Sequence, residues 1–341
     1  MEKCLIKDFG ENDYAREPII KKFNNGVMVC LFLTGGRTEP EISNVVKISR
    51  SFDDGKTWTE PETLFSLKER GCWSPELFSD GEISFACVNT YSGTWRKEYY
   101  RELQTYRSFS KDGISFDEPV SFPCGLNGVS LRQGIVMSNG EWLFPMYWSE
   151  VTYDFEYCND TEKEHGADRF PFRCGVAISS DKGKTFSRYG YMKADRSVWE
   201  PACVEFEKGH IVCLMRYNGE GVLLMSESFD YGRTWGEIQK TNIPNANTKL
   251  VLFKINDDVF LVNNFHNVMG MWNRKNLEIH RLYANMTTEK VYSVEPSEEV
   301  WFYPHVVVDS GKEMLYLAYE NKKKHYLQKL DFKELYTKKG V

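Results

Sequence analysis

The sequence predicts an all-β fold, a six-bladed β-propeller built as one domain from residues 1–341. Three observations predict it: helical periodicity is scarce, a hairpin pattern occurs six times, and an aspartate-containing turn motif lies between the hairpins. Aromatic residues, which favour strands, make up 15% of the chain. A closed ring of similar sheets explains how a chain of 341 residues forms a single domain.

Each hairpin consists of two short apolar runs around a polar turn. The turns contain glycine or aspartate, which accept the backbone conformations of tight turns. In chain order they lie at Gly26, Gly81, Gly140, Gly209, Asp258 and Gly311. Their separations of 49 to 69 residues leave room for two further strands in each unit, as a propeller blade requires.

The turn motif S-x-D-x-G-x-T-W, the Asp box, occupies residues 51–58, 179–186 and 228–235, with a degenerate copy at 108–116. Its aspartate accepts hydrogen bonds from backbone N–H groups, and its aromatic residue packs between sheets. We therefore expect the motif to stabilise the fold and not to take part in chemistry.

The charge composition argues against nucleic acid and membranes as partners. The chain has 43 Lys and Arg residues and 49 Asp and Glu residues, a net charge of −6, whereas binders of polyanions carry excess positive charge. No apolar run approaches the roughly 18 residues of a membrane-spanning helix. The first residues lack a signal peptide, so we expect a cytoplasmic protein, the alternative being a secreted protein whose leader has been removed.

Cysteine and histidine patterns indicate neither a disulfide framework nor a metal site. The nine cysteines are odd in number and form no C-x-x-C pair, so we expect reduced, buried thiols. The six histidines show no ligand spacing. We expect neither a metal nor another cofactor.

In a propeller the first strand of each blade lines the central channel, and ligands bind where these strands begin. Counting back from the hairpin turns gives the residues at these positions: Arg16, Trp73 to Glu76, Arg132, Glu200, Asn247 and Tyr303. Arginines gathered in a channel mouth repel one another unless an anion binds there. The set therefore predicts an anionic ligand, the alternative being arginines that only pair with glutamates.

These residues give the chain a resemblance to the sialidase (neuraminidase) superfamily over nearly its whole length. In that family the first arginine of a carboxylate-binding trio precedes a proline, usually in R-I-P, and Arg16 stands in R-E-P. Glu200 and Arg216 have the family's separation of sixteen residues between a glutamate and the second arginine. Arg274 resembles the third arginine, of an R-x-x-L stretch, and Tyr303 stands where the family's nucleophilic tyrosine opens the last blade.

The resemblance implies an exo-glycosidase that hydrolyses a terminal acidic sugar, sialic acid first, with retention of configuration. Arg16, Arg216 and Arg274 would bind the carboxylate of the sugar. Tyr303 would be the nucleophile, and Glu200 would accept its proton. A neutral phenol suits this role because the charge of the substrate would repel a carboxylate. The implied partner is an oligosaccharide or glycoconjugate that ends in the acidic sugar.

The loop G-G-R-T-E-P-E-I-S-N departs from the family pattern. Sialidases have an aspartate there as acid/base, shortly after an arginine. Arg37 matches this arginine and would bind substrate, but only Glu39 and Glu41 are available as the acid/base. Arg132 has no counterpart in the pattern, and we expect it to bind a second polar group of the substrate or to pair with Glu150.

The departures leave two alternatives open. One is a hydrolase or lyase for another carboxylated sugar, such as a uronic acid or another nonulosonic acid. The other is a sugar-binding propeller without turnover, which the missing aspartate favours and the Tyr303 and Glu200 pair disfavours. Four tryptophans are candidates for stacking on the sugar, with Trp73 placed among the substrate-binding residues: Trp73, Trp148, Trp199 and Trp272. The polar segment 150–172 predicts a loop at the rim.

Overall fold

The innermost strands of six antiparallel sheets contact one another in sequence and close a ring. The structure, a computed structural model, describes residues 2–10, 14–39, 41–92, 103–123, 128–149, 172–321 and 323–336. The predicted all-β, six-bladed β-propeller is confirmed.

The strands are short, as expected for blades. The first thirteen are β1 (Glu2–Asp8), β2 (Ala15–Lys22), β3 (Met28–Thr34), β4 (Val45–Ser51), β5 (Glu62–Phe65), β6 (Gly71–Ser79), β7 (Ser84–Tyr91), β8 (Gln104–Phe109), β9 (Val120–Ser121), β10 (Ser130–Leu131), β11 (Ile135–Val136), β12 (Trp142–Ser149) and β13 (Phe172–Ser179). The others are β14 (Ser187–Met192), β15 (Val198–Glu207), β16 (His210–Tyr217), β17 (Val222–Ser228), β18 (Gln239–Pro244), β19 (Val251–Ile255), β20 (Asp258–Asn264), β21 (Leu277–Leu282), β22 (Thr288–Ser293), β23 (Phe302–Asp309), β24 (Met314–Glu320) and β25 (Lys324–Asp331). A 3-10 helix spans Met271–Asn273, and helix α1 spans Phe332–Tyr336.

The blades follow the chain, with one exception that closes the ring. Blade one is β2 to β5, blade two is β6 to β9, blade three is β10 to β14, blade four is β15 to β18 and blade five is β19 to β22. Blade six consists of β23, β24 and β25, and the N-terminal strand β1 pairs with β25 as its outer strand. The first and last strands of the described chain therefore lie in one sheet.

The six predicted hairpins join the first and second strands of the six blades. In blades one to four the predicted turn glycine has a positive φ, as at Gly26 with 87°. In blades five and six the left-handed residues are Asn256 and Glu313, where the sequence pattern predicted Asp258 and Gly311. The turn composition identified these two hairpins but not the residue that reverses the chain.

A separate hydrophobic core fills each of the six gaps between neighbouring blades. The gap between blades two and three contains Phe78, Phe85, Trp142 and Phe144, whose ring centroids lie 4.6 to 6.2 Å apart in the contacting pairs. Much of the aromatic content thus stabilises blade packing.

The Asp boxes connect the third and fourth strands of blades one, three and four. In the first box Asp53 accepts hydrogen bonds from the Thr57 N–H at 2.9 Å and the Thr57 hydroxyl at 2.6 Å. Asp181 and Asp230 make the same contacts in the other two. Each box thus ties its own turn together.

The described residues also bear on membrane-spanning helices and on the state of the cysteines. Within the described ranges, no helix has the length and apolar character needed to cross a membrane. The seven cysteines that the structure describes are free thiols, six of them buried, and the remaining two, Cys124 and Cys158, lie outside the described residues.

Candidate active site

Five of the six blades have a left-handed residue at the same place, where the innermost strand begins. These residues are Glu17 (φ 56°), Ser74 (45°), Glu200 (43°), Asn247 (56°) and Tyr303 (46°). At four of them the strand pairing skips, which marks a β-bulge; the exception, Asn247, precedes its strand. A bulge re-aims a side chain, and a left-handed residue other than glycine costs about 1–2 kcal/mol. The fold maintains this strained conformation at the predicted nucleophile and its base.

The bulge corrects one equivalence predicted from the hairpin spacing. That spacing aligned Arg16 with Glu200 and Tyr303, but the residue in the equivalent position is Glu17, and Arg16 lies one residue before it. Counting back from a turn fails here because a bulge inserts an extra residue into one strand.

Arg16 is buried between a carboxylate and two aromatic rings. Its Nη1 lies 3.1 Å from Oε1 of Glu320, and its guanidinium centre lies 5.0 Å from the Phe302 ring centre and 5.9 Å from that of Tyr303. Burial acts to lower the pKa of Arg16, but the charge of Glu320 together with Tyr303, Tyr14 and Glu39 outweighs it and the pKa is raised. Arg16 is thus a permanent cation beside the predicted nucleophile.

Arg216 is held from two sides next to Glu200. Its Nη1 donates to Oε2 of Glu200 at 2.6 Å, and its Nε donates to Oδ1 of Asn247 at 2.6 Å. The guanidinium stacks on the ring of Trp199 at 4.6 Å. Burial acts to raise the pKa of Glu200, but Arg216 and then Arg132 outweigh it and lower the pKa to about 2.

Arg274 is the least satisfied of the three arginines, and only 5% of it is exposed. Its Nη2 donates to the backbone oxygen of Asn247 at 2.9 Å, and its guanidinium centre lies 5.6 Å from the Tyr303 ring centre. Its Nε and Nη1 are enclosed and find no hydrogen-bond partner among the described residues. Burial lowers the pKa of Arg274 because it disfavours the charged guanidinium, and a bound anion would stabilise that charged form.

The structure therefore brings the three predicted arginines together around Tyr303. Arg16 and Arg274 share Phe302 and Tyr303, while Arg216 and Arg274 share Asn247. Tyr303 itself is buried, and burial together with the charge of Glu200 raises its pKa to about 12.

The loop after β3 distinguishes its two glutamates. Glu41 accepts from the N–H groups of Arg37 and Thr38 at 3.1 and 3.0 Å and from the hydroxyl of Ser43 at 3.2 Å, so its carboxylate shapes the loop. Glu39 is half-buried with an enclosed Oε2 that has no hydrogen-bond partner in the described structure. Burial, with repulsion from Glu17, raises the pKa of Glu39 to about 7. The side chain of Arg37 is exposed, and its predicted role in substrate binding stays a prediction.

Arg132 is buried, with 3% of its surface exposed. Its Nη1 lies 3.5 Å from Oε2 of Glu17 and its Nη2 lies 3.3 Å from Oε1 of Glu76. Lys249 Nζ and His305 Nε2 approach Glu76 at 3.7 and 4.0 Å. These five residues form a charged cluster, the axial cluster, inside the channel. Substrate binding by Arg132 stays a prediction, and its proposed partner Glu150 lies outside the described residues.

The four tryptophans differ in environment. Trp73 is half-buried with its edge towards Tyr147, and Trp148 lies 6.1 Å from Tyr191. The face of Trp199 is covered by Arg216, whereas Trp272 is 69% exposed two residues before Arg274. Stacking on a sugar stays a prediction for all four. The segment predicted as a rim loop lies outside the described residues except for Phe172.

Sequence reasoning missed Glu17, Glu320 and Tyr14 as members of the site. The sequence contained a signal for Glu17. In four innermost strands a proline directly follows the left-handed residue, in R-E-P, W-S-P, W-E-P and F-Y-P. Glu320 contacts Arg16 from blade six, which no local pattern indicates, whereas Tyr14 contacts it from two positions earlier in the chain. Among the described residues no group of side chains has the arrangement of a metal site.

Comparison with known proteins supports the same assignment at the level of fold. A family model described as a BNR repeat-like domain matches residues 29–317. No curated protein matches the sequence.

Three solved structures are similar along the chain. A protein of unknown function from Dyadobacter fermentans is 18% identical, with a TM-score of 0.74 and coverage of 96% of this chain and 97% of that one. The Hadza microbial sialidase Hz136 is 17% identical, with a TM-score of 0.70 and coverage of 94% and 66%. A sialidase of Trypanosoma rangeli in complex with sialic acid is 19% identical, with a TM-score of 0.66 and coverage of 95% and 55%.

The chain spans just over half to two thirds of the length of these two sialidases, and identities this low show the fold alone. The family match extends over most of the chain and agrees with the six blades and the Asp boxes. The chain therefore belongs to the BNR repeat-like domain family, and its fold resembles that of the sialidase propellers.

Proposed function

We propose that the protein is a retaining exo-glycosidase that removes a terminal acidic sugar, with sialic acid as the first candidate. The observation that supports this most is Arg274, a buried guanidinium with two unsatisfied nitrogens beside the hydroxyl-bearing ring of Tyr303. A carboxylate on the anomeric carbon of a sugar would satisfy these nitrogens and place that carbon next to the phenol. The solved Trypanosoma rangeli sialidase binds sialic acid, a sugar of this kind.

Binding of the carboxylate would also activate the nucleophile. In the free protein Arg216 helps to hold the pKa of Glu200 at about 2, which makes Glu200 a poor base. A substrate carboxylate shared by Arg216 and Arg274 draws on the same guanidinium, so Glu200 is held less strongly and its basicity rises. Tyr303 is therefore deprotonated only when a charged substrate is present.

The first step would then form a bond between the oxygen of Tyr303 and the anomeric carbon, while the bond from that carbon to the leaving oxygen breaks. The phenol proton passes to Glu200, and the leaving oxygen takes a proton from Glu39. Between the two available glutamates, Glu39 is favoured because the Glu41 carboxylate is occupied by the N–H groups of Arg37 and Thr38.

The second step would reverse these roles. Glu39, now ionised, takes a proton from water, and the water oxygen attacks the anomeric carbon. The bond to Tyr303 breaks, and the phenol recovers its proton from Glu200. Two displacements at one carbon retain its configuration. An acid/base with a pKa near 7 serves both steps at neutral pH.

A second candidate is a hydrolase for another acidic sugar. It is favoured by the buried ion pair of Glu17 and Arg132, both departures from the sialidase pattern, of which Glu17 directly follows Arg16 in the chain. A substrate with a different set of hydroxyl or amine groups would suit these added charges.

One experiment separates the proposals. Release of the aglycone from aryl α-sialosides and aryl uronides is measured with the wild type and with Tyr303→Phe, and a 3-fluoro sialosyl fluoride is tested as a trap, with mass spectrometry of the Tyr303 peptide. We expect sialoside turnover, its loss in Tyr303→Phe, and a labelled Tyr303. Turnover of uronides alone would transfer the proposal to the second candidate. If neither substrate is turned over, both glycosidase proposals are refuted and the sugar-binding propeller without turnover remains.

A further inference from the structure

Every left-handed residue within the four bulged strands is followed by proline. The pairs are Glu17 and Pro18, Ser74 and Pro75, Glu200 and Pro201, and Tyr303 and Pro304. No other residue is common to all four blades at this point. A repeat of this kind indicates a common physical requirement at the position after the left-handed residue.

The pairing of the strands identifies that requirement. In blade six Phe302 pairs with Glu320, and the next paired residue is His305, so Tyr303 and Pro304 lie in the bulge without ladder partners. In blade four the ladder skips from Trp199 to Ala202 around Glu200 and Pro201. A residue with an N–H group would leave a buried donor unsatisfied here, whereas proline has none.

Blade five provides the exception that supports this reasoning. Its left-handed residue, Asn247, is followed by Thr248, which has an N–H group and is fully buried. That N–H donates to Oδ1 of Asn245 at 3.0 Å, and the same side chain returns a hydrogen bond to the backbone oxygen of Thr248 at 3.1 Å. Where proline is absent, a dedicated side chain satisfies the donor.

We propose that Pro201 and Pro304 are positioning residues that keep Glu200 and Tyr303 in the left-handed conformation from which they act. This rests on the proposed function of the two residues. With alanine at position 304, the new N–H group favours a regular ladder in which Tyr303 is extended. Because neighbouring side chains of an extended strand point to opposite faces, the phenol would turn away from the channel mouth.

Substrate binding by the arginines should be affected less than the reaction rate when Pro304 is replaced. Arg16 is held by Glu320, and Arg274 by the backbone of Asn247, so neither depends on Pro304. A misplacement of the reacting group by about 1 Å is enough to reduce a rate about 100-fold. Pro304→Ala should therefore reduce kcat about 10- to 100-fold with KM changed less than about threefold.

The molecule contains its own control. Pro75 follows Ser74 at the bulge of blade two, where only Ser74 is skipped and Pro75 pairs with Val88, and Ser74 has no proposed part in the reaction. Pro75→Ala therefore removes a proline that follows a left-handed residue away from the reacting groups, and it should lower Tm and leave kcat close to that of the wild type. The experiment measures kcat, KM and Tm for Pro75→Ala, Pro201→Ala and Pro304→Ala on the aryl glycoside that the wild type cleaves best, after a cooperative thermal transition has been recorded for each.

Equal kcat values in all four proteins, or equal losses in all three variants, would overturn the proposal. If one of Pro201→Ala and Pro304→Ala does not fold, the other decides the result alone. If the wild type cleaves no acidic glycoside, the proposed function fails and crystal structures decide the positioning. A negative φ at Tyr303 in Pro304→Ala supports it, and an unchanged left-handed φ refutes it.

Discussion

Nη1 of Arg132 lies 3.5 Å from Oε2 of Glu17, which joins the two residues that depart from the sialidase pattern at the innermost strands. Glu17 replaces the usual isoleucine of R-I-P, and Arg132 has no counterpart at all. Only 2% and 3% of these residues are exposed, so Glu17 without Arg132 would be a buried charge that lacks its nearest cation. Their distance explains why the two departures occur together.

Removal of Arg132 should destabilise the fold strongly. Arg132→Met leaves Glu17 without its nearest cation and Glu76 with only Lys249 nearby, and breaking a buried pair in this way costs about 3–5 kcal/mol. We expect a lower free energy of unfolding in urea, and a smaller loss at pH 5 than at pH 8. The reason is that burial already raises the pKa of Glu17, and without Arg132 it rises further, so protonation relieves the variant as pH falls.

An exposed ion pair serves as the control for this prediction. Lys182 Nζ lies 2.6 Å from Oε2 of Glu82, and both side chains are largely exposed. Lys182→Met should change the free energy of unfolding by less than about 1 kcal/mol. A similar small change in Arg132→Met would show that the axial cluster contributes no more than a surface pair.

Glu39 and Glu41 should respond differently to removal of their charge. If Glu39 is the acid, kcat/KM for a glycoside with an alkyl or sugar leaving group decreases above about pH 7, as Glu39 loses its proton. Glu39→Gln should reduce this value by about 10²–10⁴. Glycosides of an activated nitrophenol need little protonation and should be affected far less.

Glu41→Gln provides the comparison within the same loop. It weakens the contacts to Arg37, Thr38 and Ser43 and should reduce activity towards both kinds of leaving group to the same small extent. A selective loss with Glu41→Gln, and none with Glu39→Gln, would reverse the assignment.

The sequence predicted the architecture and the main site because both depend on local patterns. The hairpins and Asp boxes are defined by turn chemistry within a few residues, and Glu200 and Arg216 lie on adjacent strands of one hairpin. Arg274 was recognised only through the family motif, since the ring alone brings it beside Tyr303.

The remainder of the site depends on contacts that no local pattern contains. Glu39 and Glu41 differ in which carboxylate accepts hydrogen bonds from the loop N–H groups. The burial of Arg132 is accompanied by ion pairs with two glutamates on other blades. The misalignment of Arg16 with Glu200 arose because a bulge is invisible to residue counting, although the proline after each left-handed residue marks it.

The Asp boxes should stabilise the protein in a pH-dependent way without affecting catalysis. The N–H and hydroxyl groups of Thr185 lower the pKa of Asp181 to about 2, below its ordinary value of 3.8. A lowered pKa in the folded state contributes stability that is present above about pH 4 and is lost as the pH falls towards 2. Asp181→Asn should therefore lower Tm at pH 7, reduce its dependence on pH between 4 and 2, and leave kcat unchanged.

An aspartate outside the boxes tests the specificity of this effect. Asp257 lies exposed in the turn between β19 and β20, and Asp257→Asn should alter Tm little at any pH. Thermal scans of the three proteins from pH 2 to 7 make the comparison. A wild-type Tm curve parallel to that of Asp181→Asn would contradict the prediction.

Closure of the ring by β1 should be a separable contribution to stability. Lys3 on this strand places its Nζ 4.5 Å from the ring centre of Tyr326 and 4.7 Å from that of Trp301. Such contacts contribute about 0.5–1 kcal/mol at exposed sites, so Lys3→Met should reduce the free energy of unfolding by that amount. Removal of residues 1–9 should have a larger effect, because it also exposes the backbone edge of β25 and the core around Ile6. Urea unfolding, with light scattering to detect edge-to-edge association, measures both. A truncated protein as stable and as monodisperse as the full chain would mean that blade six is complete without its N-terminal strand.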